Sequence, residues 1–352
     1  MRIIQRYLAG TILKTTLLAL FVLVSLFLFF TLIDQLADTV HGSYGVRKAL
    51  VYTFLTIPRI SYELFPIAAV IGSMATLGIT ARNSELDVIL TSGVSRFNLS
   101  KILIKSSFLL VLSAILIGEL IVPPAEEMAQ KIRSVALAEN GAVKTDYGLW
   151  IRDGNNYVNI WRVFPGNRIE DIYSYEFDDA NNLRSSFHAS SAVYQDGKWL
   201  MQDLKESLLN RGVVKSRTIP YTTWDSLIDP EILNIVMVKP DRLSILGLVN
   251  YIKYLRQNSQ NTQSYEQALW AKFIKPFSVI AMIVLAVPLV SGPFNFVTLG
   301  HSIFTGVLAG IIFHMSTQVS ANLGIVYQVH PMISVMTPTV LLILLIFYLI
   351  RK

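Results

Sequence analysis

Three long apolar stretches, a polar strand-rich insert and three more apolar stretches succeed one another along this chain, and that order constrains its fold more than any single motif. The first group comprises residues 17–33, a second run ending over 66–79, and 102–122; the second group comprises 273–290, 303–321 and 332–350. Each is about as long as the roughly 20 residues a helix needs to cross a hydrocarbon core. The expected fold is therefore an α-helical membrane protein with six transmembrane helices and an inserted all-β, jelly-roll-like domain. Its divisions fall at 1–132 (three spans), 133–240 (β domain) and 241–352 (an exit helix and three spans). With 53% hydrophobic and 15% charged residues and a mean hydropathy of +0.49, the chain is too apolar for a water-soluble globule. The net charge of +6 is modest, and nucleic-acid binding is not read from it. Cysteine is absent, which removes disulfides, thiolate metal sites and cysteine nucleophiles. The first apolar run is too long for a signal h-region and lacks a small-residue cleavage site, so it is read as a retained helix.

Basic residues set the orientation. Arg2, Arg6 and Lys14 precede the first span, Arg82, Arg96, Lys101 and Lys105 surround the second-to-third connection, and Arg351 and Lys352 close the chain. With an even number of spans these share one side, which the positive-inside rule makes cytoplasmic. Arg47 and Lys48 lie on the other side, the turn at 291–300 has no Lys or Arg, and Lys272 and Lys275 stand at the outer end of span four. The balance predicts a multi-pass membrane protein with both termini cytoplasmic and the β domain extracytoplasmic.

The second apolar region, 46–79, is too long for one untilted crossing and contains Pro58, Arg59, Glu63 and Pro66. Proline removes a helical hydrogen bond and kinks the helix, so an interfacial piece over 49–59 is expected before the crossing. Arg59 and Glu63 either snorkel as a local ion pair or stand at the rim of a polar cavity.

In the insert, Leu149-Trp150-Ile151-Arg152, the turn Asp153-Gly154-Asn155-Asn156 and Tyr157-Val158-Asn159-Ile160-Trp161 read as strand, turn and returning strand. Further short strands at regular spacing suggest a sandwich or jelly roll, with Ile160, Tyr175 and Val193 among the inward positions. Helices flank it at 126–138 and 243–257; in the second, Leu243, Leu246, Val249, Ile252 and Leu255 recur at helical spacing.

Chemistry-bearing motifs are scarce. The Gly197-Lys198 pair is followed by Trp199, so there is no phosphate-binding P-loop, and neither G-x-S-x-G nor H-E-x-x-H occurs. The histidines, at 41, 188, 301, 314 and 330, lack metal-ligand spacing. Glu126-Glu127 and Asp178-Asp179 are adjacent acids of the kind found on solvated faces. No catalytic residue, metal site or cofactor site is assigned.

The sharpest local pattern lies between spans two and three. Asn83 or Ser84 supplies an N-cap, Glu85 and Asp87 meet the positive end of the helix dipole, and Gly93 ends the turn. Leu86, Ile89 and Leu90 fall on one face, suited to a groove in a soluble partner. An interfacial helix lying on lipid is the alternative, and the acidic start disfavours it.

The pattern Arg82-x-Ser84-Glu85-Leu86-x-Val88 leading to Ser92-Gly93, three spans on each side of a β insert, and Trp150-Ile151-Arg152-Asp153-Gly154-Asn155-Asn156-Tyr157 together resemble the lipopolysaccharide export permeases LptF and LptG over essentially the whole chain. The segment Leu243-Ser244-Ile245-x-Gly247-Leu248-x-Asn250-Tyr251 looks like the G branch rather than the F branch. That resemblance implies a non-catalytic permease subunit of an ABC transporter, paired with LptF, seated on an LptB ATPase dimer that holds ATP and Mg²⁺, and joined by LptC. Such a complex extracts lipopolysaccharide from the inner membrane and passes it to a periplasmic bridge toward the outer membrane. It implies ATPase coupling through Glu85, Leu86, Ile89, Leu90 and Gly93. Acyl chains would meet Phe27, Phe30, Leu64, Phe65, Ile311 and Phe313, and lipid phosphates Lys131, Arg133 and Arg59. The outer end of span one carries Thr31, Ala37 and Asp38 where relatives can be basic. The other readings are the LptF-type sister, another ABC lipid or lipoprotein exporter, and a membrane-anchored periplasmic sensor or scaffold. The last lacks an output domain and leaves the cytoplasmic helix unexplained.

Overall fold

The computed structural model describes residues 2–40, 44–137, 143–164, 167–178, 180, 182–210, 213–224, 230, 239–258, 260–291 and 298–351. Most of the turn at 291–300 and Lys352 lie outside them. Helices α1 (Arg2–Ala37), α2 (Val46–Leu55), α3 (Ile57–Arg82), α4 (Glu85–Thr91), α5 (Arg96–Ser106), α6 (Phe108–Leu116) and α7 (Val122–Leu137) come first, with a π-helical turn Ile117–Ile121 joining α6 to α7. Strands β1 (Val143–Asp153), β2 (Asn156–Phe164), β3 (Arg168–Phe177), β4 (Leu183–Gln195), β5 (Lys198–Asn210) and β6 (Val213–Trp224) follow. Helices α8 (Ile245–Gln257), α9 (Gln263–Ser291), α10 (Leu299–Val326) and α11 (Pro331–Arg351) complete the chain.

Six helical paths among the described residues are long and apolar enough to cross a membrane: Ile4–Ala37, Ile57–Arg82, Arg96–Arg133, Gln263–Ser291, Leu299–Val326 and Pro331–Arg351. The third runs through α5, α6, the π turn and α7 as one path. The piece expected before span two is α2, separated from α3 by Thr56, with Pro58 in the first turn of α3, where its missing N–H costs nothing. In their most apolar windows, α3 is 89% and α9 61% buried, against 11% for α1 and 22% for α10. Spans two and four are therefore the axis of the bundle, and the others form its wall.

Small residues let the wall close on that axis. Along α10, Ser302, Gly306 and Gly310 recur every fourth residue, and a Cβ on Gly310 would come 2.8 Å from Ile67 Cγ2 of α3. On α3 itself, a Cβ on Gly72 would meet the Thr16 Cα of α1 at 2.5 Å. Where lipid tails are as apolar as leucine, close backbone approach of this kind drives helix association.

The strands form one six-stranded antiparallel sheet in sequence order, so over the described residues the β insert is a meander. Its buried positions do not keep strict alternation. On β3 they are Ile169, Ile172 and Ser174, and on β5 Trp199, Met201 and Leu204. Each three-residue step spans an aspartate in the left-handed region, Asp171 at φ 52 and Asp203 at φ 51. Both fall in one row the ladder skips: Glu170 pairs with Ser191 and Ile172 with Ala189, while Ser191 pairs with Gln202 and Leu204 with Ile219. This crease returns the apolar side chains to one face on both sides of it. Of the expected inward positions, Ile160 is buried, but Tyr175 stacks on Trp150 at 6.1 Å on the opposite face. Beyond the crease Ala192, not Val193, is buried.

Helix α8 lies against this sheet, with Tyr251, Tyr254 and Leu255 in the same apolar cluster as Ile160, Ile172 and Trp199. The Ser244 side chain caps it, accepting from Gly247 N at 3.1 Å. Its buried face runs through Leu248, Tyr251, Ile252 and Leu255, whereas Leu246 and Val249 are exposed. The expected face is thus rotated, because the tyrosines carry the apolar contact that the aliphatic positions were read to make.

Candidate functional site

Helix α4 follows α3 after a two-residue turn, at the end of spans two and three opposite the β sheet. Ser84 precedes it at φ 58 without a side-chain cap, and Gly93 closes it at φ 89. That value is in the region only glycine enters freely. Leu86 and Ile89 are buried in the apolar core of the bundle and Leu90 packs against it. The apolar face therefore holds α4 to its own spans, and the outward edge consists of Asp87, Val88, Thr91 and the partly exposed Glu85. Glu85 accepts a 3.0 Å hydrogen bond from the Tyr7 hydroxyl of α1, so α1 and α4 are tied at this end. Sequence periodicity located the helix and its acids; it could not separate a face that anchors from a face that is offered.

At the opposite end the basic residues expected at a rim already have partners. Arg133 Nη2 lies 2.7 Å from Asp38, so the acid at the outer end of span one binds α7. Beside this pair, Tyr44 is buried and donates to Gln35 at 2.8 Å; burial pushes its phenol up to about 12. Arg59 sits 3.0 Å from Glu63 and 3.2 Å from the buried Glu126, which also pairs with Arg242. Arg59 thus makes the expected local ion pair and also joins a larger ionic cluster. Lys131 is exposed on α7.

The candidate acyl-chain contacts divide into two sets. Phe27 and Phe30 on α1 and Ile311 on α10 are exposed on the bundle's outer wall. Leu64 and Phe65 of α3 and Phe313 of α10 are buried in its core, so a lipid outside this arrangement does not touch them.

Sequence reading missed Glu119, whose position inside the third apolar run is itself the signal, because an ionisable residue at membrane depth needs a partner. Its Oε1 lies 2.5 Å from Lys272 Nζ of α9, and its Oε2 accepts from Ile245 N at 3.0 Å. No group of acids and histidines suited to a metal occurs among the described residues.

The profile of the family described as Lipopolysaccharide export system permease LptF/LptG matches residues 6–352. The lipopolysaccharide export system permease protein LptG of Escherichia coli K12 is 33% identical over 354 residues, covering 99% of this chain and 98% of that protein. The protein of the same name from Haemophilus influenzae is 30% identical over 351 residues, with the same coverage. A six-span bundle with a sheet between its halves, matched end to end by these relatives, belongs to the LptF/LptG family of lipopolysaccharide export system permeases and is a multi-pass inner-membrane permease subunit.

Proposed function

We propose that this chain works as the G-type half of a permease pair that an external ATPase drives to lift lipopolysaccharide out of the inner membrane. The observation that carries the reading is α4: a short helix joined to span two by a two-residue turn, anchored through Leu86 and Ile89 and presenting Glu85, Asp87 and Val88 outward. A soluble ATPase gripping that edge moves α3, the most buried span, directly. The ATPase is a dimer of the LptB type, and it contributes ATP and Mg²⁺. Both termini are cytoplasmic and the sheet periplasmic, as the basic residues around α4 and at the chain ends favour.

The exposed apolar walls of α1, α10 and α11, with Phe21, Phe304 and Phe347 outward, suit an LptF-type partner on one side and acyl chains between the two permeases. Each CH₂ withdrawn from the bilayer costs about 0.8 kcal/mol, which is why a chain of this kind needs ATP from elsewhere. Phosphates of the lipid meet Lys131, which is exposed on α7. They share Arg133 and Arg59 with Asp38, Glu63 and Glu126, so headgroup binding and the outer ion pairs compete. The sheet ends in β1 and β6, each paired on one side among the described residues, and a strand of an LptC-type or bridging domain adds to such an edge.

The test is purification of this chain in mild detergent with identification of what accompanies it. An ATP-hydrolysing subunit and a second permease are expected. Recovery of the chain without either overturns the reading.

A further inference from the structure

Helix α8 is fastened at both ends. At its start, Glu119 accepts from Ile245 N at 3.0 Å, placing a carboxylate at the positive end of the helix dipole. The same carboxylate holds Lys272 of α9 at 2.5 Å, and Lys272 also donates to Gly118 O at 3.4 Å. Glu119 and Gly118 belong to the π-helical turn Ile117–Ile121, whose widened pattern frees a carbonyl that Lys272 takes up. Two helical turns further on, Glu126 pairs with Arg242 in the segment leading into α8. At the far end, Tyr254 donates to Arg152 O at 2.7 Å, and Asn258 Oδ1 accepts from Gly154 N at 2.8 Å, both in the β1–β2 hairpin.

A 13-residue helix is about 20 Å long. It is stiff over that length, so whatever displaces its start displaces the hairpin. We propose that Glu119 is a positioning residue of the export reaction: through α8 it makes the outer ends of spans three and four and the β sheet move as one body. π turns of this kind are single-residue insertions in an α-helix and occur often at working positions. Reversion of the turn to α-helix rotates Glu119 about the helix and withdraws it from both Lys272 and Ile245 N. The turn is thus the place where the coupling can be made or broken.

The clasp itself is a statement about geometry; its role in export rests on the function proposed above, and two measurements keep these apart. The chain has no cysteine, so spin labels at Leu112→Cys and Gln195→Cys report the distance between span three and the sheet without background, in the purified complex in lipid nanodiscs. A narrow distribution is expected in the parent, a broad one in Glu119→Ala, and an intermediate one in Glu119→Gln, which keeps an acceptor for Ile245 N but loses the charge facing Lys272. In the second measurement, lipopolysaccharide released to a soluble periplasmic acceptor is divided by ATP hydrolysed. Loss of one member of a partly buried charge pair predicts a fall of about tenfold in this ratio for Glu119→Ala, with hydrolysis retained. A merely structural residue would lower the yield of complex and both rates together. An unchanged distance distribution overturns the clasp, and a broadened one with an unchanged ratio overturns its role in export. If the parent complex releases no lipid, the export reading fails, while the distance measurement still decides the clasp.

Discussion

Substituting Gly72 by alanine tests the seam that holds α1 to the bundle. A Cβ at this position would collide with Thr16 Oγ1 and lie 2.5 Å from Thr16 Cα and 2.6 Å from Thr16 N. The last two atoms are backbone, so no rotamer change relieves the contact; α1 must retreat by about 1 Å to regain ordinary packing distance. The Thr15 hydroxyl, 2.8 Å from both Gly72 O and Thr76 Oγ1, loses part of both hydrogen bonds in that retreat. Overpacking of this kind costs about 1–3 kcal/mol, and each weakened hydrogen bond contributes up to about 1 kcal/mol. Alanine's better helix propensity offsets about 1 kcal/mol, which leaves a net loss centred on about 2 kcal/mol, between about 0 and 4. Gly10, on α1, would place a Cβ with nothing within 4 Å of it and supplies the control: Gly10→Ala should be neutral or stabilising by about 0.5–1 kcal/mol. Thermal unfolding of the two variants in detergent, followed by tryptophan fluorescence, separates them. If Gly72→Ala unfolds at the same temperature as Gly10→Ala, the close approach of α1 and α3 is not what fixes span one.

Glu85→Ala should weaken ATPase retention on the permease, since loss of a partly desolvated charge contact costs about 2–5 kcal/mol; intact co-purification and intact lipid-stimulated hydrolysis would defeat the idea. Reversing Lys131 and Arg133 together to glutamate should reduce lipopolysaccharide crosslinking while the complex still assembles, and Asp38→Asn, which frees Arg133 from its acid, should raise crosslinking; no change in either variant argues for ordinary surface charges. Photo-crosslinking residues at Ile160 should capture lipid only when ATP is supplied, whereas Tyr175 and Val193, on the other face of the sheet, should not; capture at all three positions alike removes the sheet's buried face as the lipid path.

Six spans and a β insert were legible because each rests on a local quantity: the length of an apolar run, or a turn rich in Asp, Gly and Asn between short strands. Helix α4 was legible for the same reason, since its acids and Gly93 lie within one short segment. What stayed hidden depends on distant partners. Leu86 and Ile89 look like a docking face until the core they enter is known, and Asp38 looks like a missing base until it is seen beside Arg133. Val193 was misplaced because period-two counting runs straight through Ser190, in the row where Asp171 and Asp203 turn left-handed. Glu119 is a single acid in an apolar run, and its two partners are more than a hundred residues away.

That crease has a consequence for how the sheet ages in service. A domain that accepts a foreign strand at its edge is exposed to being pried apart by the same hydrogen bonding, and a sheet of uniform ladders can slide by two residues without exposing its apolar face. Here the skipped row works as a detent. Sliding β4 against β3 or β5 takes Ser190 out of line with the left-handed aspartates and brings regular backbone opposite them, interrupting the ladder at new places. The Arg162 and His188 side chains that converge on Asp171 would be pulled apart in the same movement. The skipped row therefore holds the register of β4 against both its neighbours, whatever pairs at the rim of the sheet.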